Sequence, residues 1–236
     1  MSNILRLAIA LLLLLPGAAG AIEIDLSDDG HDCNHYSLDL AVNGYGIGFG
    51  NSARLRGIRL NVRDECVEEV YGLNLTLWSP RHADEAVIRG ISLGLAAPAA
   101  GELGGIQIGG VAVVSGGILS GISLAGLAVV SEGPAAGIAI GGLATVTGEM
   151  TGISVGGLAN VSEGDVRGIA VGGLANVAQH DMAGISVGGL ANVAEHDLFG
   201  ITAGGLANVA EGDLTGISFG GLANVAEGRM RGISFG

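Results

Sequence analysis

The sequence predicts an all-β fold, a β-solenoid built from coils of about 16 residues. A glycine-led unit recurs with a spacing of 16 residues, beginning at Gly152, Gly168, Gly184, Gly200 and Gly216. Inside the unit, Ile153 and Val155 flank Ser154, and this alternation is typical of a strand. A helix is disfavoured because each unit contains several glycines, and each would cost about 1 kcal/mol relative to alanine.

The first 20 residues are predicted to be a signal peptide (residues 1–20). Arg6 provides a positive start, an apolar run extends from Leu7 to Leu15, and small residues follow up to Ala21. Because no cysteine lies at the predicted cleavage point, a bacterial lipid anchor is not expected. The chain is therefore expected to be exported, to the periplasm, the cell surface or the medium.

Residues 21–45 are predicted to form an N-terminal cap segment. Cys33 and Cys66 are the two cysteines of the chain. In an exported protein such a pair indicates a disulfide, which would join the cap to an early repeat. Two free thiols or a metal site are the alternatives.

Residues 46–236 are predicted to form the tandem array, with irregular units over 46–104 and regular units over 105–236. The earlier units begin at Gly46, Gly57, Gly72, Gly90, Gly105, Gly121 and Gly137. About 12 coils spaced by ~4.8 Å would make a rod roughly 55–60 Å long. The last unit stops at Gly236 without a polar cap, which predicts a fragment of a longer array or end-to-end self-association through that coil.

The alternative architecture is an antiparallel β-meander or an outer-membrane β-barrel, with one strand in each unit. The near-identity of the units favours the solenoid. Pro80 and Pro98 fall at the ninth place of their units, where Asn160 stands in a regular unit, which predicts a corner at that place. The aromatic girdle of a membrane barrel is also missing, because only three phenylalanines follow Trp78.

Composition limits both the core and the partners. The net charge is −13 and lysine is absent, so binding to nucleic acid is not expected. Apolar residues make up 49% of the chain and aromatic residues 3%, which predicts a core of thin layers of Ile, Val, Leu and Ala.

One asparagine recurs at the ninth position of each regular unit, and in a solenoid these residues would stack into a hydrogen-bonded ladder. The members of this predicted ladder are Asn160, Asn176, Asn192, Asn208 and Asn224.

Carboxylates recur in the turn of the unit, and calcium is one way to neutralise them. The candidate calcium ligands are Glu163, Asp165, Glu211 and Asp213. Solvent screening is the alternative, and the glycine-rich nonapeptide of calcium-binding β-rolls is absent. His180 and His196 share one turn position, which repeat drift explains more simply than a metal site.

Units such as Gly184-Ile185-Ser186-Val187-Gly188, followed by Asn192-Val193, resemble the tandem "surface repeat" proteins of bacterial cell envelopes. The resemblance implies an exported or surface location. No catalytic motif is found, so we expect a structural or surface-binding protein without catalytic activity or cofactor. Its expected partner is a protein or glycan at the cell surface. An outer-membrane barrel protein or a calcium-stabilised adhesin is the alternative.

Overall fold

The computed structural model describes residues 23–25, 37–65, 67–78 and 85–236, and these ranges contain strands but no helix. The predicted signal peptide, both cysteines of the predicted disulfide (Cys33 and Cys66) and Pro80 lie outside the described residues.

Two strands precede the array, and the chain enters it through antiparallel pairs: β1 (Glu23–Asp25) with β2 (Ser37–Val42), and β2 with the first strand of the array, β3 (Tyr45–Gly50). The strands that follow are β4 (Arg54–Asn61), β5 (Glu69–Thr76), β6 (Val87–Gly94), β7 (Ala99–Ala100), β8 (Glu102–Gly109), β9 (Ala112–Ser115), β10 (Leu119–Ala125), β11 (Ala128–Gly141) and β12 (Ala144–Gly156). The regular coils contain β13 (Ala159–Ser162), β14 (Val166–Gly172), β15 (Ala175–Ala178), β16 (Met182–Gly188), β17 (Ala191–Ala194), β18 (Leu198–Gly204), β19 (Ala207–Ala210), β20 (Leu214–Gly220), β21 (Ala223–Ala226) and β22 (Met230–Phe235).

Every pairing from β3 onward is parallel and joins equivalent positions of successive units. Gly46 pairs with Gly57, Gly57 with Gly72, and the same step continues to Gly216 and Gly232. The predicted β-solenoid is therefore confirmed, and the antiparallel alternative is excluded. About eleven turns separate Gly57 from Gly232. The count starts at Gly57 because the 11 residues from Gly46 to Gly57 make a shorter connection than a full coil.

One coil contains two strand segments, a corner and a turn. In the unit that begins at Gly168, counted as position 1, β14 runs to Gly172, a corner follows at Gly173 and Leu174, and β15 runs from Ala175 to Ala178. The corner keeps its hydrogen bonds to the previous coil, since the Leu174 N–H donates to the Leu158 carbonyl at 2.6 Å. Each coil therefore satisfies its backbone through the next one.

The glycine at position 1 is required by a close approach between coils. Gly184 has φ of 122°, a conformation that side chains disfavour. A Cβ there would stand 2.1 Å from the carbonyl oxygen of Gly168 in the previous coil. The glycine period of the sequence therefore marks the positions where the backbones of two successive coils approach closely.

The predicted core of Ile, Val, Leu and Ala is confirmed for Val, Leu and Ala, but the isoleucines at position 2 lie outside it. Ile185 at position 2 and Val187 at position 4 are each 41% exposed, whereas Ser186 between them is 2% exposed. The interior instead holds position 3, the asparagines of position 9, small residues at position 11 and apolar residues such as Met182 at position 15. In the units from Gly121 to Gly216 position 3 is Ser, Thr or Ala, so the smaller residue of positions 2 and 3 faces inward, whereas the longer side chains of Arg59, Asn74 and Gln107 fill the same place in the coils before them.

The corner predicted at position 9 is also wrong. Asn176 is the second residue of β15, and the chain bends three residues earlier at Gly173. Pro98 occupies the equivalent place in its unit immediately before the two-residue strand β7. Proline is tolerated there because its carbonyl can still accept a bond, here from the Val114 N–H at 3.1 Å.

Candidate binding surface

The asparagines of position 9 lie in one buried row. Asn192 donates from Nδ2 to Asn208 Oδ1 at 2.8 Å and accepts at Oδ1 from Asn176 Nδ2 at 2.8 Å. The same side chain also bonds the Ala203 carbonyl at 2.9 Å and the Ser186 hydroxyl at 2.7 Å. The row extends from Asn160 to Asn224, and Thr145 donates to its first member. An amide can repeat without limit because it both donates and accepts.

The turn aspartates form a second row at the surface. Asp165 Oδ1 accepts from the backbone N–H of Asp181 at 3.1 Å, and Asp213 Oδ1 accepts in the same way from Arg229 at 2.7 Å. Each carboxylate therefore fixes the turn of the next coil. The neighbouring candidates Glu163 and Glu211 are exposed.

No group of three or more His, Cys, Asp or Glu side chains that could hold a metal occurs among the described residues. The calcium site at Glu163, Asp165, Glu211 and Asp213 stays a prediction. The rings of His180 and His196 stack with centroids 5.2 Å apart, and His180 Nδ1 lies 4.0 Å from Asp165 Oδ1.

The early coils, formed by the irregular units over 46–104, contain a buried ion pair that the sequence analysis did not predict. Arg59 Nη1 donates to Asp64 Oδ1 at 2.5 Å and to Asn74 Oδ1 at 3.2 Å. The side chains of Arg59 and Asp64 are 0% and 3% exposed. The sequence could have indicated that Arg59 is buried, because Arg59 stands at position 3 of its unit, the position that Ser186 holds in a regular unit.

From position 1 to position 11 the outer surface of the regular units is apolar and uncharged, and it extends over both strand segments and the corner between them. We call it the apolar wall: the side chains at positions 2, 4, 7 and 10 of the eight units from Gly105 to Ala226. Positions 1–11 of those units contain no Asp, Glu, Lys, Arg or His, and all their charges fall at positions 12–16. Leu190 and Ile185 on the wall are 45% and 41% exposed. Monomeric soluble proteins rarely expose a contiguous apolar patch beyond roughly 300–600 Å².

The wall continues into an open groove on the early coils, with a volume of about 980 Å³. Its floor is the position 4 row, and its rim consists of corner residues at position 6. Regular units have glycine at position 6, whereas the early coils have Val62, Leu77 and Leu95, so the rim rises only there. Asn61 and Thr76 are the polar side chains that line it.

A row of aromatic and basic residues lies on another outer face of the early coils. Arg56 Cζ lies 5.5 Å from the ring centroids of both Tyr45 and Tyr71, in the adjacent coils. The hydrogen bond from Arg56 to the Tyr45 hydroxyl further raises the pKa of Arg56. Tyr71 donates to Glu69 at 2.8 Å, and this bond raises the pKa of Tyr71 above its ordinary value. The guanidinium therefore bridges two rings in adjacent coils.

Comparison of the chain with family models, with curated proteins and with solved structures finds no match in any of the three. No helix in the described ranges is long and apolar enough to cross a bilayer. The apolar wall and its groove are the candidate binding surface of the chain.

Proposed function

We propose that this chain is an exported repeat protein without catalytic activity, which acts by presenting its apolar wall to a partner at the cell surface. The uncharged face of eight successive units is the observation that carries the proposal. Branched side chains exposed along a whole face are costly in water unless something covers them.

The distribution of charge supports a binding role. Carboxylates at positions 12 and 14 keep the opposite side of each coil soluble, while the wall excludes every charged residue type. An apolar centre with a charged periphery is the usual anatomy of a protein interface. The repeated rows offer many copies of a few groups, whereas catalysis needs unlike groups that converge.

Export rests on the sequence of the first 21 residues and on the resemblance to envelope "surface repeat" proteins. Fractionation of the expressing cells should find the full chain outside the cytoplasm, with an N-terminus that begins at Ala21 or Ile22. Retention of Met1 in a cytoplasmic fraction would contradict export.

The binding role is tested with two charge variants that differ only in the face they alter. Val155→Glu/Val187→Glu places carboxylates on the wall, and Thr151→Glu/Ala183→Glu places them on the position 16 row, four residues earlier on the same two strands. We expect the wall variant alone to lose most Nile red fluorescence and most retention in the envelope fraction. Equal behaviour of the two variants, with circular dichroism unchanged, would contradict the proposal.

A further inference from the structure

The row of side chains at position 4 forms a groove at one end and a projection at the other. Strand pairing places thirteen side chains in this row, one from each successive strand, and we call each of them a rung. The row runs from Phe49 and Leu60 in the early coils to Phe219 and Phe235 in the last ones. All thirteen side chains of this row are apolar. The first five rungs form the floor of the groove, and the last two form a projection.

The projection is a pair of stacked rings. Phe219 and Phe235 have ring centroids 5.1 Å apart at an interplanar angle of 4°, and they are 46% and 55% exposed. The preceding rung is Ala203, so the surface rises abruptly from a methyl group to a benzyl group. The groove at the other end of the row is open and lined by side chains of the same chemistry.

We propose that the position 4 face is the interface of a two-fold dimer of this chain, with Phe219 and Phe235 of each copy seated in the groove of the other. This inference rests on the proposed binding role of the apolar wall and names its occupant. The two-fold axis lies in the interface plane, perpendicular to the solenoid axis, so the two rods run antiparallel. In this arrangement Phe219 of one copy faces Leu60 of the second copy, and Phe235 faces Phe49.

The area of the face agrees with a stable dimer. Thirteen rungs at ~4.8 Å and a strand of about five residues give roughly 1,000 Å² in each copy. A standard interface buries about 800 Å² on each partner. Two flat sheets with the same repeat distance can mesh along their whole length, as stacked sheets do about 10 Å apart.

Electrostatics favour a second copy over a lipid surface. Two position 4 faces meet without bringing carboxylates together, because the acidic turns lie on the other side of each coil. From Gly105 onward the chain contains no Trp, Tyr or Lys, the residues that anchor proteins at a membrane interface. The net charge of −13 also opposes binding to anionic lipid.

Sedimentation equilibrium of the purified full chain tests the stoichiometry. We expect a dimer for the unaltered chain and, for Phe219→Glu/Phe235→Glu, dimerisation weakened on the order of 100-fold, since buried aromatic anchors dominate interfaces. Phe199→Glu is the matched control: Phe199 is 58% exposed at position 16, outside the interface, and its variant should remain a dimer. Leu75→Glu in the groove should weaken the dimer from the opposite side, should the double variant fail to fold.

Cysteine cross-linking tests the orientation. Under mild oxidation, a mixture of Leu60→Cys and Phe219→Cys chains should give a covalent dimer, and neither variant alone should give more than the unaltered chain. Cross-linking of Phe219→Cys with itself would indicate parallel rods and overturn the proposal.

The outcomes separate this inference from the proposed function. A monomer that floats with phosphatidylcholine vesicles, and loses flotation in the wall variant, overturns the dimer but keeps the wall as a binding surface. A monomer whose wall variant changes neither flotation nor Nile red fluorescence overturns both.

Discussion

The early coils and the regular coils share the same packing arrangement, but different polar groups occupy their interiors. Both turn their polar side chains inward at position 3, and both leave branched apolar residues on the outside. Beside apolar core residues that both regions contain, the early coils bury the ion pair of Arg59 and Asp64, whereas the regular coils bury the row that contains Asn192.

The difference follows from what each group can tolerate next to a copy of itself. Two buried guanidinium groups in adjacent coils would repel at ~4.8 Å in a medium of low dielectric constant. Two amides at that distance form a hydrogen bond. A neutral group that both donates and accepts can therefore be duplicated from coil to coil, while the buried ion pair occurs once among the described residues, beside Asn74.

The largest effect should come from the feature that the two regions share, the glycine at position 1. Gly184→Ala and Gly90→Ala each add a Cβ at a positive φ, 2.1 and 2.2 Å from a carbonyl oxygen of the previous coil. We expect each to lower the free energy of unfolding by about 4–5 kcal/mol, in the exceptional range for one substitution. Urea denaturation measures the loss.

Gly116→Ala is the control for this prediction, because the nearest atom to its added Cβ is 4.0 Å away. Its effect should stay within about 0.5 kcal/mol. A large loss for Gly184→Ala with none for Gly90→Ala would show that the bend is not common to both regions.

The glycine period was enough to predict the fold, because it marks the bends, and every unit start in the sequence occupies a rung of the stack. The faces could not be predicted in the same way. A period of two fixes that Ile185 and Ser186 point in opposite directions, but not which of them points inward. That choice depends on the width of the coil, which the corner and the turn set together, and the usual rule that isoleucine is buried gave the wrong answer. The groove was hidden for the same reason, since its rim residues matter only once position 4 is known to face outward.

The second prediction removes the charge balance of the early interior. Asp64→Asn leaves Arg59 as an uncompensated buried charge, and we expect a loss of about 3–5 kcal/mol in the free energy of unfolding. Arg59→Met/Asp64→Leu removes both charges and should recover most of that loss. If the double variant is as unstable as Asp64→Asn, the hydrogen bonds of Asn74 and its neighbours, rather than charge balance, hold the early coils together.

The third prediction compares two members of the asparagine row. Asn192→Ala deletes bonds to Asn176, Asn208, Ser186 and the Ala203 carbonyl in a fully buried site, so we expect a loss of about 1–3 kcal/mol. Asn224→Ala, at the partly exposed end of the row, should cost less than 1 kcal/mol, because water replaces the lost bonds. Equal losses in urea denaturation would mean that the row acts as one cooperative unit.

The smallest expected effect is local to the outer face of the early coils. There, as in the interior, individual side-chain pairs take the place of repeated rows. The Tyr71 hydroxyl donates to Glu69, so its pKa is raised above the ordinary value of about 10. A raised pKa in the folded state means that the contribution of this bond to stability is present below about pH 10 and is lost as the pH rises through the higher value. Ring resonances of Tyr71, assigned with Tyr71→Phe, should titrate at higher pH in the unaltered chain than in Glu69→Ala. Titration at the same pH in both chains would show that this bond does not persist in solution.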